Sequence, residues 1–181
     1  GNLDEASHAA VFTPGLTSTV EGMGGYDEAM RRIRESAAKD LVSKMSPEEL
    51  RQHGGWSGAQ QYALTQVATV TWLDYQAPQW NTLTNLDNSV IGSGTAKEGG
   101  VDLANFFRGI GASRPDDVEL TALGHSYGST TTGYALQQEG TGVDRAGLFG
   151  SPGIGTSDVD DLQIDTDDVY YGEAKWDIVG D

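Results

Sequence analysis

Residues 117–136 read DVELTALGHSYGSTTTGYAL, and the fold is decided by how that stretch divides. Asp117 to Leu123 is an apolar run of strand length, while Tyr127 to Gln138 opens in small residues and continues as a helix. Between them Gly124-His125-Ser126-Tyr127-Gly128 spells G-x-S-x-G. In a chain with 25 glycines the spelling is a weak signal; its place, directly after a strand and at the mouth of a helix, gives it meaning. Such a strand-turn-helix brings backbone segments so close that a Cβ on either flank would collide, hence glycine at both. It leaves the Ser126 hydroxyl above the sheet at a helix N-terminus, where peptide dipoles favour developing negative charge. The competing reading is an ordinary glycine-lined βα turn.

Working outward, Ala9 to Phe12 is a short buried strand stopping at Thr13-Pro14-Gly15, and Gly22 to Gly25 reads as a flexible connection. Ala29, Met30, Ile33, Ala37, Leu41 and Met45 recur at helical spacing over 26–45, with Arg31, Arg32 and Arg34 assigned to the solvated face. Ser46-Pro47-Glu48-Glu49 starts a further short helix. Val67 to Tyr75 is a second strand. Residues 79–100 lack periodicity and read as a long loop, either a lid carrying Trp80 and Ile91 or a loose insertion. A helix follows from Val101, and Ala146 to Phe149 and Val169 to Gly172 add two strands. Strands alternating with helices predict an α/β fold: one domain over 1–181, a mostly parallel sheet with helices on both faces.

Composition narrows the function. With 181 residues, 37% hydrophobic and 21% charged, the chain is globular, and no apolar run nears the roughly 18 residues of a membrane span. It is expected to be soluble, either cytoplasmic or secreted after signal removal. The 27 acidic against 11 basic residues give a formal charge of -16, which repels a phosphate backbone, so nucleic acid is not an expected partner. Asp158, Asp160, Asp161, Asp165, Asp167 and Asp168 crowd one stretch without the spacing of a calcium loop, and no metal site is assigned. Zero cysteines exclude thiol nucleophiles. No phosphate-binding glycine loop follows a strand, so no nucleotide or other cofactor is expected.

Three segments, GHSYGSTTTGYAL (124–136), VTWLDYQAPQ (70–79) and FGSPGIG (149–155), resemble an α/β-hydrolase family widespread in actinobacteria, in the expected order and over most of residues 8–181. The resemblance implies an α/β-hydrolase core with Ser126 as nucleophile, acting on an ester or thioester of a small-molecule or lipid-like acyl substrate. In this fold one oxyanion donor is the backbone N–H after the nucleophile, here Tyr127, and the other lies in the loop after the first of these strands. Thr13-Pro14-Gly15-Leu16 occupies that place, and Leu16 is the candidate donor, unless the segment is a plain Pro-Gly turn. His53-Gly54-Gly55 has an oxyanion-loop spelling but follows a helix rather than the first strand, and is read as coincidence.

The acid is expected between nucleophile and histidine in chain order. Asp177, just past the strand at 169–172, is where the resemblance puts it, with Asp74 a distant second. The base is the difficulty. His8, His53 and His125 all precede Ser126. His125 is expected to point into the fold in a packing and hydrogen-bonding role, and His8 and His53 read as surface or satisfied residues. The resemblance places the base beyond Asp181, so the chain reads as cut short at its C-terminus, lacking a last strand and helix, and is expected to be inactive by itself. The alternative is a catalytically silent hydrolase-like binding module, which the missing histidine favours and the intact turn opposes.

Overall fold

The computed structural model describes residues 1–15, 23–73, 91–114 and 118–173. Five strands form one sheet in the order β2-β1-β3-β4-β5, every neighbouring pair parallel. They are β1 (His8–Thr13), β2 (Val67–Thr71), β3 (Glu119–His125), β4 (Arg145–Phe149) and β5 (Val169–Gly172). The helices are α1 (Met23–Ser43), α2 (Pro47–Gln52), α3 (Trp56–Thr65), α4 (Ile91–Ser113) and α5 (Tyr127–Leu136). The α/β reading therefore holds.

The strand order fixes the layers. From β1 the chain moves one way to β2 and then returns past β1 to β3, so right-handed crossovers put the intervening helices on opposite faces. On one face α4 and α5 pack together over the sheet; on the other α1 and α3 cover β2. Burial in β1 and β3 alternates accordingly. Ala9, Val11, Leu120 and Ala122 are fully buried under α4 and α5, joined by Leu103, Phe107, Ile110 and Leu136 in the main core. A second, smaller cluster of Ala38, Val42, Ala59 and Ala63 holds α1 to α3. The face of β4 that carries Phe149 is less covered, and Phe149 is 44% exposed.

Local chemistry explains the element ends. Ser46 caps α2 in a reciprocal box, the Glu49 N–H donating to Ser46 Oγ at 3.3 Å and the Ser46 N–H to Glu49 Oε2 at 2.7 Å, with Pro47 in the first turn as the sequence suggested. Arg34 departs from the solvated-face reading. Its guanidinium donates to the carbonyls of Val67 at 2.9 Å and Leu64 at 2.5 Å, pinning α1 to the α3–β2 junction, whereas Arg31 and Arg32 do pair with surface carboxylates.

Two boundaries also move. Gly25 is helical inside α1, and α4 begins at Ile91, so residues 91–100 of the segment read as a loop are helix; 74–90, with Trp80 and Asp74, lie outside the described residues. The acidic stretch folds into two single 3-10 turns capped by Asp158 and Asp165, whose carboxylates accept the N–H of Asp160 at 3.0 Å and of Asp167 at 3.1 Å. No group of three or more metal-binding side chains occurs among the described residues, and none of their helices is long and apolar enough to cross a membrane.

Phe107 is the largest fully buried side chain of the main core. Phe107→Ala is expected to lower unfolding free energy by about 3–5 kcal/mol, read from urea denaturation; a loss under about 1 kcal/mol would mean that α4 is not a core element.

Candidate active site

In an open parallel sheet the crevice that takes ligands lies beyond the carboxyl ends of the strands, where the strand order reverses. Here the reversal falls between β1, whose chain leaves toward β2, and β3, whose chain leaves toward β4. The β1 end delivers Thr13-Pro14-Gly15 to this point, and the β3 end delivers Gly124-His125-Ser126. Ser126 is the cap of α5 and the single non-glycine residue with positive φ among the described residues, at φ 52 and ψ -133. That is the mirror image of the extended region, which glycine enters freely and side-chain-bearing residues disfavour.

Three absent Cβ atoms make the turn possible. A Cβ on Gly128 would stand 2.2 Å from the Thr13 carbonyl oxygen and 2.5 Å from that of Pro14, so α5 could not start against the end of β1. One on Gly124 would stand 2.6 Å from the Ser129 Cα, blocking the return of α5 over β3. One on Gly15 would stand 2.6 Å from Ser126 Cβ and 3.1 Å from its Oγ, so the β1 loop lies directly against the serine. The strained backbone is also tied down. Ser126 N–H donates to the Phe149 carbonyl at 2.9 Å, and its carbonyl accepts the Ser129 N–H at 2.9 Å and the Ser129 hydroxyl at 2.5 Å. Ser126 itself is half-buried, with its hydroxyl at the mouth of α5.

As the first residue of α5, Tyr127 has its N–H at the helix terminus, where amides are directed out of the helix. Its phenol is partly buried, and burial raises its pKa above the ordinary 10.0. Leu16 and Asp177 lie outside the described residues.

None of the three histidines shares this edge as a partner of Ser126. His125 ends β3 and is exposed, which corrects the expectation that it points into the fold: strand alternation puts it on the face opposite Gly124, alongside Phe149. His53 caps the end of α2 and stacks on Tyr62 with ring centroids 4.0 Å apart. His8 begins β1. In the β1–β3 register it pairs with Glu119, five residues before the Thr13–Gly124 row, or about 16 Å along the strands.

At that far edge, the starts of β1, β3 and β4 carry an ionic cluster. His8 Nδ1 lies 3.1 Å from Glu119 Oε2, Arg145 pairs with Glu119, and Arg145 Nε lies 3.4 Å from Asp168 Oδ1. A cleft of about 560 Å³ between α1 and the sheet opens beside it, floored by Ala10 and Leu123. Burial first, then the nearby charges of Arg145 and Lys44, hold the His8 pKa below its ordinary 6.5, the Glu119 carboxylate being shared with Arg145.

The signal for Ser126 was in the sequence. Two participants are not evident from sequence: Gly15 as the residue packed on Ser126, and Ser129 as a hydrogen-bond donor to the Ser126 carbonyl. Ser129 sits three residues beyond Ser126, the spacing of one helical turn, which is the pattern that gives such a bond away.

A family model described as "Alpha/beta hydrolase" matches residues 1–181. Relatives include an uncharacterized protein of Mycobacterium bovis, 29% identical over 172 residues that make up 94% of this chain and 57% of that protein. Another, an uncharacterized protein of Mycobacterium tuberculosis, is 30% identical over 182 residues, 98% of this chain and 24% of that protein. The chain thus spans about half or less of the length of these curated relatives. Similar solved structures include the catalytic core domain of acetyl xylan esterase from Trichoderma reesei, at 12% identity and TM-score 0.49 over 94% of this chain and 84% of that one.

Two outcomes follow from this geometry. Gly128→Ala is expected to lose about 3 kcal/mol or more, because the new methyl meets backbone oxygens that cannot rotate away; a variant melting like wild type would show that α5 does not abut β1. For His8, whose folded pKa is below the unfolded 6.5, the stability contribution is fully present above pH 6.5 and is lost as pH falls through the lower folded value. Melting curves from pH 7 to 5 should therefore fall less steeply for His8→Gln than for wild type, and superimposable slopes would place His8 outside the cluster.

Proposed function

The chain belongs to the alpha/beta hydrolase family, and from that premise we propose that it is a serine hydrolase acting on an ester or thioester through an acyl-enzyme on Ser126. The observation that carries the reading is the positive φ of Ser126 at a strand-helix turn on the switch point of the sheet. The substrate class is a small-molecule or lipid-like acyl compound. Within the family, the segments at 70–79, 124–136 and 149–155 favour its actinobacterial members.

In this reading a general base takes the Ser126 hydroxyl proton as Oγ bonds to the acyl carbon, and the carbonyl electron pair moves onto oxygen. Tyr127 N–H, at the α5 terminus, and Leu16 N–H, next in sequence after Gly15, donate to that oxyanion. Collapse of the intermediate expels the alcohol or thiol, which takes the proton back from the base, and water repeats the attack to free the acid. Asp177 holds the imidazole in the tautomer that can accept the proton. With His8 about 16 Å away along the strands and His53 on α2, the imidazole is proposed to come from polypeptide outside these 181 residues. The positions of these two residues, and the exposure of His125, favour as second reading a silent binding module that has kept the turn.

A fluorophosphonate probe and short acyl esters separate the two. The natural protein that contains this chain is expected to label and to turn over ester, Ser126→Ala to lose at least about a thousandfold in turnover, and the 181-residue chain alone to show little activity. Labelling that survives Ser126→Ala would remove the serine from the reaction. Ester turnover by the isolated chain that His125→Ala abolishes would move the base to the turn itself, and an inert natural protein would leave the binding module as the reading.

A further inference from the structure

We propose that Ser129 and Ser151 are positioning residues for Ser126, a hydroxyl relay that holds the strained serine from beneath; this rests on Ser126 being the nucleophile. Ser129 and Ser151 are buried, at 0% and 4% exposure, and their hydroxyl oxygens lie 2.5 Å apart. Ser129 Oγ is also 2.5 Å from the Ser126 carbonyl oxygen, and the Gly153 N–H donates to Ser151 Oγ at 3.1 Å.

Proton bookkeeping gives the relay one direction. A carbonyl can only accept, so the single Ser129 hydroxyl proton goes to Ser126. The Ser129–Ser151 contact then requires Ser151 to donate, and its oxygen is left to accept from Gly153. Each hydroxyl proton is used once and the chain has no gap. Reversing it would leave Ser129 without a proton for the Ser126 carbonyl at 2.5 Å.

The relay reaches beyond α5. Ser151 follows β4, the Thr130 hydroxyl donates to the Gly153 carbonyl at 2.6 Å, and the Tyr171 hydroxyl of β5 to the Ser151 carbonyl at 3.2 Å. The carbonyl side of Ser126 is therefore held to the 150–153 loop through two side chains, while its N–H is held to β4 directly. Alanine at 129 or 151 would keep the helix, since the Ser129 N–H still satisfies the Ser126 carbonyl, and would remove only the side-chain restraint. The consequence is looser aim of Oγ, and misplacement of a reacting atom by about 1 Å costs on the order of a hundredfold in rate.

The test uses two readouts. In the natural protein, Ser129→Ala and Ser151→Ala are each expected to slow the maximal fluorophosphonate labelling rate tenfold or more with half-saturation by probe little changed. The double variant should be no slower than the worse single, because both act through one chain. Ser129→Cys, with a weak donor of similar size, should recover part of the rate. In the 181-residue chain, amide exchange at Ser126 and at position 129 should quicken tenfold while that of Ala9 and Val11 stays as in wild type. Unchanged labelling and exchange, rate losses that multiply, or faster exchange spread evenly through the sheet would overturn the relay. If wild type and Ser126→Ala label alike, the hydrolase reading fails, and local exchange alone then decides whether the relay holds the turn.

Discussion

The backbone of Ser126 is the constraint around which the rest of the molecule is arranged. A side-chain-bearing residue at φ 52 and ψ -133 is strained by about 1–3 kcal/mol, so its surroundings must over-determine it. They do so from four directions: the Phe149 carbonyl on its N–H, the Ser129 N–H and hydroxyl on its carbonyl, the start of α5 behind it, and Gly15 against its Cβ. Each condition passes to another element. Gly128 must lack a Cβ for α5 to meet β1, Gly124 must lack one for α5 to fold back over β3, and β4 must register against β3 with Phe149 opposite His125.

The two ends of the sheet solve opposite problems. At the carboxyl ends, neutral groups approach closely and almost all the restraint comes from backbone hydrogen bonds and small side chains, which leaves a helix terminus with donors for an anion. At the amino ends, Glu119, Arg145 and Asp168 clasp the starts of β3 and β4 and the turn before β5 by charge, and His8 Nδ1, 3.1 Å from Glu119, adds the start of β1. Exposed ion pairs of this kind add little each. Their five-residue offset from the Thr13–Gly124 row puts these charges about 16 Å along the strands from the turn. The pH sensitivity of the His8 cluster is thereby separated from the chemistry proposed at the other edge.

What the sequence disclosed and what it hid divide along physical lines. The turn was legible because strand, glycine, serine, glycine and helix are adjacent in the chain, and every steric condition on them is local apart from the approach of β1. The topology followed from alternation. Arg34 is not legible because helical periodicity reports which face a residue occupies and not what lies over it; only the packed structure puts the Val67 and Leu64 carbonyls within reach of its guanidinium. In residues 91–100, Gly92, Gly94, Gly99 and Gly100 lower helix propensity and give the stretch the signature of a loop, and packing of α4 on α5 overrides that preference. Sequence alone turns His125 inward, but strand alternation puts it on the face of Phe149, which no helix among the described residues covers closely, and it is exposed. Ser151 was invisible as a partner because 22 residues separate it from Ser129.

The identity of residue 126 argues about function apart from any histidine. A turn needed only to reverse the chain from β3 into α5 would be served best by glycine, which enters this region of φ and ψ at no steric cost. The chain has glycine at 124 and 128, where close approach demands it, and withholds it at 126, where strain would favour it most. Serine there is held by a set of hydrogen bonds that a glycine would not need, and those bonds use its N–H and carbonyl, not its side chain. A binding module that had abandoned chemistry would be released from that expense, since relaxing residue 126 to glycine removes strain without disturbing the sheet. The retained strain therefore favours the nucleophile proposed for Ser126 over a turn kept for its shape.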